Sequence, residues 1–60
     1  MAGKFELYKD TKGKFRFRLK AGNGEIIAVG EAYDTKARAK NGIASVQKNA
    51  PAAPVVDLTE

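Results

Sequence analysis

Phe15, Phe17 and Leu19 alternate with Arg16, Arg18 and Lys20, a period of two that puts an apolar row on one face of a strand and a basic row on the other. A turn signal stands on each side of this segment. Asp10, Thr11, Lys12 and Gly13 precede it, and Gly22, Asn23 and Gly24 follow it. Each reads as a three-residue hairpin loop closed by a glycine, Gly13 or Gly24, in the left-handed region. The loops bring the segment around Phe5 and Leu7, and the run Ile26, Ile27, Ala28 and Val29, alongside as antiparallel neighbours. A three-stranded antiparallel meander is expected.

The loop lengths also set registers. Phe5 is expected opposite Leu19, Leu7 opposite Phe17 and Lys9 opposite Phe15; in the second hairpin, Leu19 is expected opposite Ile27 and Phe17 opposite Val29. The other face then reads Glu6, Arg18 and Ala28, then Tyr8, Arg16 and Gly30, then Lys20 and Ile26. Ile26 and Ala28 make the third strand apolar on both faces, which implies cover on both. Asp34 or Thr35 is placed to cap a helix running to about Asn49. Its apolar stripe, Ala39, Ile43, Val46 and Ala50, is expected over Phe15, Phe17 and Ile27. Gly42 lies mid-helix, where it costs about 1 kcal/mol against alanine, and implies close approach to a neighbouring backbone. Pro51 cannot continue a helix, so Pro51, Ala52, Ala53 and Pro54 read as an extended linker. The result is an α+β chain, βββα, with a domain over residues 1–50 and a tail over 51–60, extended or disordered.

Sixty residues allow one domain with a small core, and such domains are marginal without further support. The chain has no cysteine and no histidine, which excludes disulfides and thiolate or imidazole metal sites. Self-association is the support that remains. The carboxylates belong to no catalytic motif, no serine or threonine has a nucleophile context, and the pair Gly22 and Gly24 forms a hairpin rather than a phosphate loop. The expectation is therefore a protein that is not an enzyme and takes no cofactor or metal. Residues 1–15 carry no apolar leader, and the longest apolar run, Ile26 to Val29, is far too short to span a membrane. A soluble, cytoplasmic protein is expected.

Four segments carry a resemblance: Gly3-Lys4-Phe5-Glu6-Leu7, Gly13-Lys14-Phe15-Arg16-Phe17-Arg18-Leu19-Lys20-Ala21, Asn23-Gly24-Glu25-Ile26-Ile27 and Gly42-Ile43-Ala44-Ser45-Val46-Gln47-Lys48-Asn49-Ala50. Together they resemble the YegP-like family of small, mostly bacterial proteins built on a domain of unknown function. The resemblance implies a sheet packed on a helix. It also implies that single-copy members pair as homodimers, while other members carry two copies in tandem. It implies no activity.

Two candidate surfaces follow. All eleven basic residues but only five of the seven acidic ones lie in residues 1–50, which leaves that part near +6. Lys4, Lys14, Arg16, Arg18 and Lys20 could track phosphates, and Tyr8 could stack on a base, as sheet platforms for nucleic acid do. The plainer reading pairs Arg18 with Glu6, sets Asp10 opposite Lys14 and lays Tyr8 over Arg16. Lys36, Arg38, Lys40 and Lys48 line the outer face of the helix as solvated charge. The second surface is a homodimer interface built from Ile26, Ala28, Val55, Val56 and Leu58. A structural or interaction module paired with itself is the favoured reading, and a weak nucleic-acid-binding module is the alternative.

Overall fold

The computed structural model of the chain describes residues 3–59; residues 1 and 2 of the expected domain, and 60 of the expected tail, lie outside the described residues. Strands β1 (Lys4–Lys9), β2 (Phe15–Lys20) and β3 (Ile26–Val29) are followed by helix α1 (Lys36–Asn49). The sheet order is β1-β2-β3, antiparallel throughout. Both turns have the expected form. Asp10 N–H donates to the Lys14 carbonyl at 2.8 Å and Ala21 N–H to the Glu25 carbonyl at 2.8 Å, closing three-residue loops. Gly13 and Gly24 take φ of 81° and 90°, where any side chain would be strained. The Asp10 carboxylate also accepts from the Lys12 and Lys14 amides, each at 2.9 Å.

The first register is the expected one: Phe5 faces Leu19, Leu7 faces Phe17 and Lys9 faces Phe15. The second differs. Lys20 pairs with Ile26 as the turn dictates, but the register then shifts, so that Leu19 faces Ala28 and Arg18 faces Val29. Ile27 is the extra residue of a β-bulge. The reason lies at Phe17. Gly30 donates its N–H to the Phe17 carbonyl at 2.8 Å, and a Cβ at Gly30 would clash with the edge of the Phe17 ring. The unshifted register would have put Val29 there. The bulge exchanges a valine for a glycine, and it moves Val29 onto the basic face beside Arg18 while Ala28 leaves that face for Leu19.

Helix α1 starts where Thr35, in extended conformation, accepts a hydrogen bond from Arg38 N–H through its hydroxyl at 3.1 Å. Thr35→Ala is expected to cost about 1 kcal/mol, a fall of about 4–8 °C in the melting midpoint of so small a domain; an unchanged midpoint by circular dichroism would show that the cap is idle. The helix packs on β2 and β1 and does not reach β3. Ala39 is buried, Ile43 and Val46 are half-buried and Ala50 is exposed, so the stripe covers Phe17 and leaves Ile27 open, contrary to expectation. Phe17 is the hub of the core. It meets Phe5 edge-on with ring centroids 6.0 Å apart and stacks on Tyr33 at 6.2 Å. Tyr33 returns to the sheet by exchanging backbone hydrogen bonds with Phe15 at 2.8 and 2.9 Å. Gly42 makes room for rings rather than backbone: a Cβ there would stand 2.5 Å from the Tyr33 hydroxyl oxygen and 3.1 Å from Phe17.

Pro51 does not begin an extended linker. The chain tightens into a 3-10 turn, Ala50–Ala52, with Pro51 in its first turn, a position where the missing N–H is not needed. Ala53 is extended, and residues 53–59 have no regular secondary structure and are exposed. The radius of gyration is 13.0 Å, against about 10 Å for a compact chain of this length, because the tail projects from the fold. Among the described residues, no helix is long and apolar enough to cross a membrane.

Candidate functional site

The face of the sheet opposite α1 carries the basic residues, and Glu6 organises them. Its carboxylate accepts from Arg18 Nε at 2.7 Å, and the ammonium groups of Lys4 and Lys20 each stand 3.5 Å from it. This follows from register, since Glu6 faces Arg18 and Lys4 faces Lys20. Three cations on one carboxylate leave the cluster net positive. The Arg18 guanidinium also lies over the Tyr8 ring, 5.0 Å from its centroid, so Tyr8 covers Arg18 and not Arg16. Arg16 turns toward the sheet edge and donates through Nη2 to the Gly30 carbonyl at 3.0 Å, with its Nε buried and without a partner. Lys14 is bound to Asp34; Asp10, which meets Lys14 through backbone amides, is not its ion partner.

These contacts set the titration of the face. The Arg18 hydrogen bond holds the Glu6 carboxyl below its ordinary value, against the opposing effect of desolvation and helped by the charge of Lys20. Hydrogen bonding between Lys14 and Asp34 lowers the Asp34 carboxyl and raises the Lys14 ammonium. A depressed carboxyl stabilises the fold above its unfolded value, about 4 for Asp and Glu, and that contribution is lost as pH falls through the folded value. Lys14 has the opposite sign, its contribution being full below about 10.4 and lost as pH rises through the folded value. The melting midpoint is expected to hold from neutral pH to about 5 and to fall below it. Glu6→Gln should flatten part of that acid limb. An acid limb identical in the two proteins would contradict the role given to Glu6.

The second surface is apolar. Ile26, Ile27 and Val29 are 48%, 57% and 54% exposed, and Ala28 is exposed with them. In the tail Val55, Val56 and Leu58 are 96%, 70% and 86% exposed. Ile27 and Val29 join this surface only through the bulge, and the signal that could have found them is Gly30, too close to Phe17 to be anything else. No cluster of acidic residues among the described residues could hold a metal ion.

A three-stranded meander with one helix on one face, a basic opposite face and an uncovered apolar third strand defines a class of small α+β domain. The chain belongs to the YegP-like UPF0339 family: the family described as a domain of unknown function (DUF1508) matches residues 10–57. A UPF0339 protein of Treponema denticola is 71% identical over 97% of this chain and 100% of its own length. The YegP protein of Shigella flexneri is 59% identical over 85% of this chain, which spans 46% of that relative's length. Among solved structures, the solution structure of a Haloferax volcanii protein superposes with a TM-score of 0.84 at 46% identity, covering 93% of this chain and 95% of that one. A protein from Agrobacterium tumefaciens gives 0.79 at 47% identity, with 95% and 92% covered.

Proposed function

We propose that the chain is a non-catalytic structural or interaction module that works as a homodimer, with β3 buried between the two copies. The observation that carries this reading is the uncovered third strand. Ile26, Ile27 and Val29 on one short strand stay about half exposed, while the buried apolar residues among those described are Phe17 and Ala39. Full burial of such a side chain is worth about 1.5–3 kcal/mol, and the half still open at each is what a chain this small has reason to recover by pairing. The length of the YegP relative, which this chain matches over less than half, leaves room for two such units in one polypeptide and supports the same reading. Pairing makes the folded state concentration-dependent. The melting midpoint is expected to rise across a hundredfold increase in protein concentration, whereas a constant midpoint would oppose the reading.

The basic face favours a second reading, a weak nucleic-acid-binding module, through the net positive cluster around Glu6. Its cations are already engaged, and Arg18 occupies the Tyr8 ring that a base would need. If this reading held, single-stranded DNA would bind at low salt, weaken steeply as salt is raised and be lost in Arg16→Ala/Arg18→Ala. Absence of binding at low salt excludes it.

A further inference from the structure

We propose that Lys4, Arg18 and Lys20 form a site for a backbone phosphate of a polynucleotide, and that Glu6 is an internal competitor that occupies it and holds its affinity down. The inference rests on the nucleic-acid reading and names its contacts. Fold stability does not account for the arrangement. Lys4 and Lys20 face each other directly across β1 and β2, and like charges in that position are destabilising. Arg18 adds a third cation on the same face, two residues from Lys20. One carboxylate serves all three. Its Oε1 accepts from Arg18 at 2.7 Å and stands 3.5 Å from the Lys20 ammonium, while its Oε2 stands 3.5 Å from that of Lys4. Three cations around one anion break a local rule of sheet pairing, and such breaks concentrate where a surface is used.

The cluster also has donors to spare. Arg18 spends Nε on Glu6, and its two Nη groups have no partner among the described residues and are not buried. The Tyr8 ring lies under the guanidinium, 5.0 Å away, and steadies it without using a donor. Each lysine ammonium has three N–H donors, and the Lys4 side chain is 70% exposed. The anion these groups hold now is the chain's own carboxylate, and a phosphate oxygen needs the same donors. Arg16 and Lys14 stand outside the site. Arg16 is committed to the Gly30 carbonyl with its Nε sealed from solvent, and Lys14 is bound to Asp34.

The test is binding of a fluorescent oligothymidylate to the full chain at low salt, read by anisotropy. Glu6→Gln is expected to bind about tenfold more tightly than the wild type. Glu25→Gln makes the same change in net charge at an exposed position after the second turn, and its affinity is expected to stay within about twofold. Equal gains in the two variants, or no gain in Glu6→Gln, overturn the competitor while the nucleic-acid reading stands. Binding by neither the wild type nor Glu6→Gln overturns both. Lys4→Gln tests the site without removing Glu6. It is expected to weaken binding severalfold with the melting midpoint kept or raised, because the facing lysine pair is gone. A lowered midpoint with unchanged affinity would make Lys4 a stabilising residue only and overturn the site. Inorganic pyrophosphate at equal phosphate concentration is expected to leave the oligonucleotide bound, since the polymer engages several cations at once; displacement would give the site to free phosphate and overturn the polynucleotide.

Discussion

Ile26→Asp/Val29→Asp is expected to be a folded monomer at concentrations where the wild type is paired. Lys20 faces Ile26 and Arg18 faces Val29, so each new carboxylate meets a cation across the strand and gains a pair worth a few tenths to 1 kcal/mol. Neither aliphatic side chain belongs to the buried core, and the fold loses little. At the interface the same exchange puts two charges where two aliphatic side chains were to be desolvated. With about half of the 1.5–3 kcal/mol of full burial lost at each of two positions on both copies, before any cost of the charges, the dissociation constant rises at least a hundredfold. Sedimentation or light scattering reads the state, and circular dichroism checks the fold. Undiminished pairing would place the interface elsewhere.

Phe17→Ala is expected to have the largest effect on the fold itself. Phe17 is the hub on which Phe5 and Tyr33 pack, and Gly30 and Gly42 are held open for its ring and for Tyr33. Removing a buried phenylalanine costs about 3–5 kcal/mol, while a domain of this length has a total stability of about 3–9 kcal/mol. The variant should be largely unfolded at 25 °C, or fold only at high concentration if pairing rescues it. A denaturation midpoint close to that of the wild type would mean that the core is centred elsewhere.

The two hairpins differ in how plainly they could be read. In β1 and β2, apolar residues alternate with Glu6, Tyr8, Arg16, Arg18 and Lys20, and a slip by one residue would bury charge. That register was legible. In β3 the run Ile26, Ile27, Ala28 and Val29 has no polar residue to mark a face. Turn geometry set only the pair next to the turn, and the rest was decided by a contact between Gly30 and a ring on another strand. No local pattern encodes that contact. Helix start and cap were legible because Thr35 acts on its own neighbours. Helix position was not, since covering β1 and β2 rather than β3 depends on where Gly42 meets Tyr33.

The basic surface divides in the same way. The pair formed by Glu6 and Arg18 followed from register, as directly facing residues. Lys14 found Asp34 because Tyr33 bridges back to Phe15 and brings the helix start beside the start of β2, a return that the segment between Gly30 and Asp34 does not announce. Arg16 was expected beside Gly30, and it holds the Gly30 carbonyl although the bulge advances Gly30 to Phe17. For Lys14 the residue was identifiable and its partner was not.

The most direct test of the account is the solution mass of the wild-type chain by light scattering over a dilution series. A mass of twice the 6.5 kDa chain, persisting into the low micromolar range, is the predicted result and makes β3 an interface. A mass of 6.5 kDa at every concentration would contradict it, leave the apolar strand open to solvent, and give the basic face its turn.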